Sequence, residues 1–419
     1  MAVHDGQGGS ALIGEAREAA ESAERSAETG DGRPLRVTIV APPWKGGAGA
    51  ERVVSELTSF LSSRHEVTTV CPAAGSRTRD PGFSYMGPLL HVRLDHGRWG
   101  FIPKPVSVLI NAARLGGAIR ATRPDVVLSS YSVTLHSLTA MARTFGWIDS
   151  PLVIRFGSPP SFQMADRSRT SMVIFRRLVG HADALIANSS GVAADINQYL
   201  HVTPSMTRVI PNPCDVAAVQ RLAEATPEGA PLVNSRTIVS LGRLAQEKNH
   251  ALMIRSFARI AASADARLVI AGDGPLRSDL EGLGRELGVA DRVVFVGWLS
   301  NPFPLLREAG AFCLSSEYEG FGYALVEAMA CGCPVIATDA PYGPTDILEG
   351  GAYGLLVPNG DEQALAAGML RILSDSALKA NLRRRGQERA AQYDVSRIGE
   401  TYARVLQEVA ARHKARAGR

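Results

Sequence analysis

Short runs of apolar, mostly β-branched residues alternate along this chain with longer segments whose apolar residues recur at helical spacing. Residues 35–40 form the first run, and residues 51–61 form the first helical segment, whose apolar face is Val53, Val54, Leu57 and Leu61. A short β-branched run is typical of a buried strand in a parallel sheet. The pattern therefore predicts an α/β fold.

The alternation continues through both halves of the chain. In the first half, the strand and helix candidates are residues 67–70, 107–120, 126–128, 133–145, 152–155, 184–187 and 209–210. In the second half, the strand candidates are residues 237–241, 267–271, 293–296, 311–314, 335–338 and 355–357, and residues 361–392 and 398–411 are helical. Strands separated by helices predict a doubly wound parallel sheet in each half.

These elements divide the chain into four parts. Residues 1–34 are expected to form a disordered tail, because they are rich in Ala, Glu, Gly and Ser. Residues 35–214 and 215–395 are each expected to form a Rossmann-like domain, and residues 396–419 a C-terminal helix. The length of 419 residues suits two or three domains of about 100 to 200 residues each.

Composition excludes several classes of function. Apolar residues make up 45% of the chain, and the formal net charge is only +4. Because basic and acidic residues nearly balance, nothing indicates a nucleic-acid partner. The five cysteines lack the paired spacing of a metal site and do not call for an oxidising compartment.

Targeting and membrane signals are also missing from the sequence. The first 34 residues have no apolar core segment of the kind a signal peptide needs. No apolar stretch reaches the roughly 18 to 20 residues needed to cross a bilayer. We therefore expect a cytoplasmic protein that at most touches the inner membrane surface.

One stretch of the second half combines a strand, a glycine turn and a helix start. The apolar run 311–314 is followed by Gly320 and Gly322, with Glu319 in the turn and Glu327 inside the helical segment. Backbone N–H groups at such a helix start can receive a phosphate or hydroxyl groups. The two carboxylates can line the same crevice, although capping and solvated surface roles are the ordinary alternative for a bare Glu-x7-Glu spacing.

The residues around that spacing resemble the motif of a known family. Residues 319–337 read Glu-Gly-Phe-Gly-x4-Glu-Ala-Met-Ala-Cys-Gly-x-Pro-Val-Ile-Ala, which resembles the signature block of the family 4 retaining glycosyltransferases. That family has the GT-B fold, in which two Rossmann-like domains face a central cleft and the last helix crosses back onto the first domain. The resemblance extends over residues 35–411 and is strongest in the second half.

A second motif precedes the glutamate block. Arg243 and Lys248 stand across a loop that follows a predicted strand, so both can point at one anion, although solvated surface charges have the same appearance. The phrase Gly-Arg-Leu-x3-Lys-Asn at residues 242–249 resembles the family's site for the donor diphosphate. In that role, fixed cations stabilise the charge that the diphosphate gains as the glycosidic bond breaks.

The resemblance implies a role for each candidate residue. The N–H groups of residues 320–323 and the Glu319 carboxylate would hold the donor sugar and phosphate, and Glu327 would bind the ribose hydroxyls. Trp298 either covers the base or belongs to the rim of the core. The implied sets are catalytic Arg243, Lys248 and Glu319; donor-binding Gly47, Gly242, Trp298, Gly320, Phe321, Gly322, Tyr323 and Glu327; and acceptor-side Gly46, Arg155 and His136.

The first half departs from the family pattern. Many members place a histidine at the end of a strand in the middle of the domain, whereas residues 152–156 end here in Arg155 and Phe156. His136 lies nearby in a helical pattern, where a buried or capping role is the alternative to catalysis. Arg155 is a candidate contact for the sugar or for an anionic acceptor.

Two basic segments of the first half suggest a membrane surface. Residues 99–104 combine aromatic and basic residues, and residues 167–177 form a basic helix candidate. Solvated surface is the ordinary interpretation of such segments. The sharper hypothesis is contact with an acceptor at an anionic membrane.

The resulting hypothesis is a retaining transferase that moves a sugar from a nucleotide diphosphate to an acceptor hydroxyl on a saccharide, a lipid-linked glycan or a small metabolite. Residues 343–348 resemble a phrase of members that use UDP-hexosamines or UDP-galactose, which favours UDP. The chain has no Asp-x-Asp triplet, the usual metal–diphosphate ligand set of the other main glycosyltransferase fold, so we expect no metal. We also expect no cofactor, because the nucleotide sugar is a co-substrate. A non-catalytic nucleotide-sugar binder and a UDP-hexosamine epimerase are the alternatives. A nicotinamide dehydrogenase is disfavoured because the glycine loops lack the Gly-x-Gly-x-x-Gly spacing.

Overall fold

The first half folds into a seven-stranded parallel sheet. The computed structural model describes residues 33–42, 49–72, 86–94, 104–130, 132–225 and 233–418. The strands are β1 (Arg36–Val40), β2 (Glu66–Pro72), β3 (Leu89–Val92), β4 (Val126–Ser130), β5 (Leu152–Phe156), β6 (Ala184–Ala187) and β7 (Thr207–Val209), in the sheet order β3-β2-β1-β4-β5-β6-β7. Every pairing is parallel.

The second half repeats this architecture with six strands. They are β8 (Thr237–Leu241), β9 (Arg267–Ala271), β10 (Val293–Gly297), β11 (Ala311–Leu314), β12 (Val335–Thr338) and β13 (Leu355–Val357), in the sheet order β10-β9-β8-β11-β12-β13. These pairings are parallel as well. The prediction of two Rossmann-like parallel-sheet domains is therefore confirmed.

Helices surround each sheet. In the first domain they are α1 (Gly49–Ser62), α2 (Lys104–Ala121), α3 (Val133–Thr144), α4 (Pro160–Gln163), α5 (Arg169–Val179) and α6 (Ser190–Leu200). The later helices are α7 (Val216–Ala223), α8 (His250–Ala258), α9 (Arg277–Glu286), α10 (Phe303–Glu308), α11 (Tyr323–Ala330), α12 (Pro344–Leu348), α13 (Glu362–Ser374), α14 (Ser376–Ala390) and α15 (Val395–Ala417). None of the helices in these described ranges is both long and apolar enough to cross a membrane.

Burial explains why the strands were predictable from the sequence. All residues of β4, β5, β6, β11 and β12 are buried, as expected for strands with a helix layer on each face. The sequence does not predict β3, whose Leu89 and Leu90 are exposed at the sheet edge. The helical stretch after Asp361 is also divided, because the side chain of Asp375 accepts a hydrogen bond from Leu378 N and caps α14.

The chain passes between the two domains at two neighbouring places. Cys214 N donates to Tyr393 O over 2.8 Å, and Val395 N donates to Cys214 O over 2.9 Å. The second passage leads into α15, which packs on α1 of the first domain. Its buried residues Ile398, Tyr402, Leu406 and Val409 share an apolar cluster with Val53, Leu57 and Leu61. The last helix thus completes one face of the first domain.

Candidate active site

Two loops at the carboxyl edge of the second sheet bring the predicted diphosphate residues to the first glutamate. The loop after β8 carries Gly242, Arg243 and Lys248, and the loop after β11 carries Glu319. Lys248 Nζ and a Glu319 carboxylate oxygen form an ion pair. Ser316 Oγ donates a further hydrogen bond to Glu319, over 3.3 Å. Since the carboxyl ends of neighbouring parallel strands meet at one edge, this pairing follows from the topology.

Arg243 differs from Lys248 in its surroundings. Its side chain is exposed, and within the described ranges its guanidinium forms no hydrogen bond or ion pair. Gly242 precedes it, and a Cβ at Gly242 would be in ordinary van der Waals contact with the Lys248 side chain, 3.8 Å away. Among the residues that the structure describes, this loop therefore carries an unpaired cation, Arg243, and a paired one, Lys248.

Backbone geometry holds this loop in place. Asn249 has a left-handed φ of 44°, and its side chain accepts from Leu252 N over 3.2 Å to cap α8. Ser315 Oγ lies 3.0 Å from both Lys248 O and Asn249 O, and Glu317 N donates to Glu247 O over 2.9 Å. These bonds between the two loops fix Lys248 relative to the glutamate block.

The glycines of the glutamate block are required by close approach and by backbone conformation. Gly322 precedes α11 with φ of 95°, a conformation that L side chains rarely adopt. A Cβ at Gly320 would lie 2.5 Å from the carbonyl oxygen of Gly157, which follows β5 in the first domain. Ser189 Oγ also donates to Gly320 O over 3.0 Å. The turn that precedes α11 is therefore in contact with the first domain.

Two aromatic candidates occupy different environments. Phe321 is 4% exposed and packs edge-on against Tyr393, so its side chain belongs to the core and only its backbone can reach a ligand. Trp298 follows β10 and is 64% exposed. Its side chain is available at the surface for a base, and that role stays a prediction.

Glu327 lies at the boundary between the domains. It is 5% exposed, and its Oε1 forms an ion pair with Arg52 Nη1 of α1. Burial raises the pKa of the Glu327 carboxyl, and Arg52 opposes that shift. The carboxylate predicted to bind ribose is thus held by a cation from the opposite domain.

A second carboxyl, Glu56, lies one helical turn after Arg52. Tyr323 Oη lies 2.7 Å from Glu56 Oε1 and 2.7 Å from the carbonyl oxygen of Pro213. A phenol has one proton, so both contacts are hydrogen bonds only when the carboxyl of Glu56 is protonated and donates to the phenol oxygen. Burial raises the pKa of Glu56 to about 8, which agrees with a neutral carboxyl at pH 7.

The acceptor-side candidates lie inside the first domain. His136 is fully buried on α3, with Nδ1 2.9 Å from Ser129 Oγ, and burial lowers its pKa to about 3. Arg155 is 1% exposed and donates to Tyr402, Ser130 and Asn212. Their burial gives no support to direct contact with an acceptor, and both roles stay predictions. Gly46 and Gly47 lie outside the described residues.

Sequence reasoning missed Arg52 and Glu56. An arginine four positions before a glutamate on a helix is normally a solvent-exposed pair, so the spacing gives no signal for a domain contact. Their partners Glu327 and Tyr323 lie in the other half of the chain. In the described ranges, no group of three His, Cys, Asp or Glu side chains is arranged to hold a metal ion.

Comparison with known proteins assigns both halves to one class. The family model described as Glycosyltransferase Family 4 matches residues 47–218, and the model described as Glycosyl transferases group 1 matches residues 224–389. The chain therefore belongs to the family 4 glycosyltransferases. This confirms the family indicated by the sequence.

Several relatives are similar over much of their length. The N-acetylgalactosamine-N,N'-diacetylbacillosaminyl-diphospho-undecaprenol 4-alpha-N-acetylgalactosaminyltransferase of Campylobacter jejuni is 28% identical over 368 residues, which are 86% of this chain and 96% of that protein. The lipopolysaccharide core biosynthesis glycosyltransferase LpsE of Rhizobium meliloti is 31% identical over 230 residues, which are 54% of this chain and 64% of that protein.

Solved structures agree on the fold. HepE of Anabaena in complex with UDP superposes with a TM-score of 0.72 at 21% identity, over 89% of this chain and 100% of that one. Sucrose-phosphate synthase of Thermosynechococcus elongatus gives a TM-score of 0.71 at 22% identity, over 90% and 99%. These likenesses confirm the GT-B arrangement of two Rossmann-like domains.

Proposed function

We propose that this glycosyltransferase moves a hexose or N-acetylhexosamine from a UDP-sugar to an acceptor hydroxyl with retention of the anomeric configuration. The observation that carries the proposal is the loop after β8, where the exposed Arg243 stands beside the Lys248–Glu319 ion pair. A diphosphate placed there would meet the exposed guanidinium of Arg243 and a second cation, Lys248, that is fixed by a carboxylate. Retention is what the family resemblance implies.

In the proposed transfer, the acceptor oxygen bonds to the anomeric carbon while the bond between that carbon and the diphosphate oxygen breaks. The hydroxyl proton passes to the departing diphosphate, which gains negative charge. Arg243 and Lys248 stabilise that charge more in the transition state than in the bound donor. Glu319 positions Lys248 and accepts a hydrogen bond from a sugar hydroxyl. We propose that no metal takes part, since these cations perform the neutralisation.

Three observations support the choice of the donor. HepE of Anabaena, whose fold superposes on this chain, has been solved with UDP and with UDP-glucose. The Campylobacter relative is named as an N-acetylgalactosaminyltransferase. Asp346 lies in the phrase that resembles users of UDP-hexosamines, and it accepts hydrogen bonds from Ser190 N and Oγ, each over 2.6 Å. That contact joins residues 343–348 to helix α6 of the first domain.

We further propose that the acceptor is a lipid-linked saccharide at an anionic membrane surface. The name of the Campylobacter relative specifies a diphospho-undecaprenol substrate. Helix α5 of the first domain exposes Val173 and Ile174 at 49% and 50%, next to the exposed Arg169 and Arg177. Apolar side chains among basic ones are suited to the interface of an anionic bilayer.

The test is thermal stabilisation by a panel of UDP-, GDP- and ADP-sugars. A ligand at 100 times its dissociation constant adds about 2.7 kcal/mol to the free energy of unfolding. We expect one UDP-sugar to stabilise the wild type and to lose most of this effect in Arg243→Met. The matched control is Arg236→Met, because Arg236 is also an exposed arginine of the second domain but pairs with Asp265.

Each result of the panel has a separate meaning. Binding of a UDP-sugar without transfer to any glycan or lipid-linked acceptor would favour a nucleotide-sugar-binding protein. Conversion of the bound hexosamine to its epimer would favour the epimerase. Failure of every nucleotide and nucleotide sugar to stabilise the wild type would contradict the proposed donor site.

A further inference from the structure

Helix α1 of the first domain carries a cationic side chain that contacts the predicted ribose site of the second domain. Arg52 lies on this helix, and its Nη1 forms an ion pair with Glu327 Oε1 on α11. The side chains of the pair are only 16% and 7% exposed. A pair this well shielded is screened far less by water and salt than an exposed pair. It therefore acts on the charge state and direction of the Glu327 carboxylate.

Two aromatic rings of the second domain hold the guanidinium in place. Its central carbon lies 5.2 Å from the ring centre of Phe303 and 5.7 Å from that of Tyr323. A guanidinium near aromatic faces gains cation–π attraction, and its planar shape restricts its orientation. Arg52 is therefore oriented in part by the domain that it contacts.

The charge of Arg52 determines what Glu327 can bind. Burial alone favours the neutral form of this carboxyl, and Arg52 favours the ionised form. An ionised carboxylate accepts hydrogen bonds at both oxygens, whereas a protonated one must donate at one of them. Two neighbouring ribose hydroxyls both donate well only to the ionised form. Removal of Arg52 would therefore weaken recognition of the hydroxyl pair.

We propose that Arg52 is a positioning residue of the donor site, which acts through Glu327 to set the preference for ribose over deoxyribose. This inference rests on the proposed function, in which Glu327 binds the ribose hydroxyls. Under it, the ribose site is complete only when the first domain is in contact with the second. A nucleotide that lacks one ribose hydroxyl loses most of what Arg52 contributes.

The test compares the affinities of UDP and 2′-deoxy-UDP, measured by calorimetry on the full chain. The wild type is expected to prefer UDP by about tenfold or more, because hydrogen bonds to a charged group are stronger than neutral ones. In Arg52→Met we expect this ratio to fall to about twofold or less. Arg52→Lys keeps the charge without the planar donor fork, so its ratio should be intermediate.

The control is Arg64→Met, which removes an arginine that follows the same helix. Arg64 lies over Phe60 and pairs with the exposed Glu400, so this variant should keep the wild-type ratio. A double variant, Arg52→Met with Glu327→Gln, should be no worse than Glu327→Gln alone. Additive losses would mean that Arg52 does not act through Glu327 and would overturn the inference.

Failure of the inference differs from failure of the proposed function. Suppose that the wild type binds UDP, and that Arg52→Met or Arg52→Lys lowers the affinities for UDP and 2′-deoxy-UDP equally. Arg52 is then only structural, and the inference is wrong while the proposed function stands. If neither nucleotide binds the wild type, the proposed donor site is wrong and the inference is overturned with it. Two substitutions are used so that misfolding of one leaves the other to decide.

Discussion

At the scale of single residues, Gly320 lies where the turn before α11 contacts the first domain. A Cβ added there would lie 2.5 Å from Gly157 O, which is too close for any real contact with a backbone atom. We expect Gly320→Ala to displace the turn before α11 and to reduce kcat/KM by about 100-fold, because small displacements of a positioned substrate have effects of that size. Steady-state transfer kinetics measure this.

A second glycine serves as a control for whether the loss of kcat/KM comes from the contact between Gly320 and Gly157. Gly117 lies within α2, and a Cβ there would meet nothing within 4 Å. Gly117→Ala should keep full activity and add about 0.5 to 1 kcal/mol to the free energy of unfolding, because alanine is favoured over glycine inside a helix. Equal activity of Gly320→Ala and Gly117→Ala would show that the contact with Gly157 has no part in transfer.

The sequence predicts the position of a residue in the fold well where its motif is local, although the role of that residue stays a prediction. Arg243, Lys248 and Glu319 each stand in a phrase whose strand, turn and helix are adjacent in the chain, so sheet topology brings them to one edge. Arg52 could not be predicted, because its partner Glu327 is 275 positions away on the other domain. The sequence predicts Arg155 at the end of a strand, but it does not indicate that this arginine is buried with a hydrogen bond to Tyr402 of the last helix.

At the scale of elements, helix α5 provides a test of the acceptor proposal. Its exposed Arg169 and Arg177 should each contribute about 1 kcal/mol of attraction to an anionic bilayer. Arg169→Glu with Arg177→Glu is therefore expected to reduce binding to phosphatidylglycerol-containing vesicles at least about tenfold. Val173→Ser with Ile174→Ser should reduce it as well, since apolar contact is lost. Vesicle sedimentation measures both effects.

The control for α5 is Arg384→Glu on α14, in the second domain. Arg384 is also exposed, at 64% of its side chain, and its charge reversal alters the net charge in the same direction. If the wild type binds the vesicles no more strongly than the α5 variants do, this result would contradict the membrane proposal. The proposed sugar transfer would be unaffected by that result.

Elements were predictable where burial was complete. The apolar runs of β4, β5 and β11 are fully buried, and in β1 only Arg36 is exposed, so their apolar character marks these strands in the sequence. The edge strand β3 has only one buried residue and carries no such mark. Backbone pairing along the sheet edge places β3 beside β2. The side-chain pattern of a four-residue strand does not specify that pairing.

At the scale of the whole molecule, the contact between the domains contains a carboxyl that binds its proton more tightly in the folded state. Glu56 faces Tyr323, Arg52, Glu327, Cys214 and the backbone of Asp215. Burial raises its pKa to about 8 from an ordinary value of 4.5. Because the folded-state pKa is the higher one, the stabilising effect of the proton is complete below about pH 4.5 and is lost as pH rises to about 8.

We therefore expect Glu56 to lower the free energy of unfolding of the wild type by up to about 1.4 kcal/mol per pH unit as the pH rises from about 4.5 to about 8. Glu56→Gln keeps a donor for the Tyr323 oxygen at every pH, so this decrease should disappear and the variant should gain on the wild type as pH rises. Urea unfolding from pH 5 to pH 9 measures the difference. Glu66→Gln, which changes an exposed carboxylate of the same domain, should follow the wild type.

The proton on Glu56 also connects stability to function. Tyr323 begins α11, whereas Glu56 and Pro213 lie outside the core of the second domain. Ionised Glu56 would face the Glu327 carboxylate across the contact and leave the Tyr323 proton with two competing acceptors. The affinity for UDP should therefore decline toward pH 8 in the wild type and change less in Glu56→Gln. Parallel pH profiles of the two proteins would show that Glu56 holds no proton at this contact, and the hydrogen bonds of Tyr323 would need another explanation.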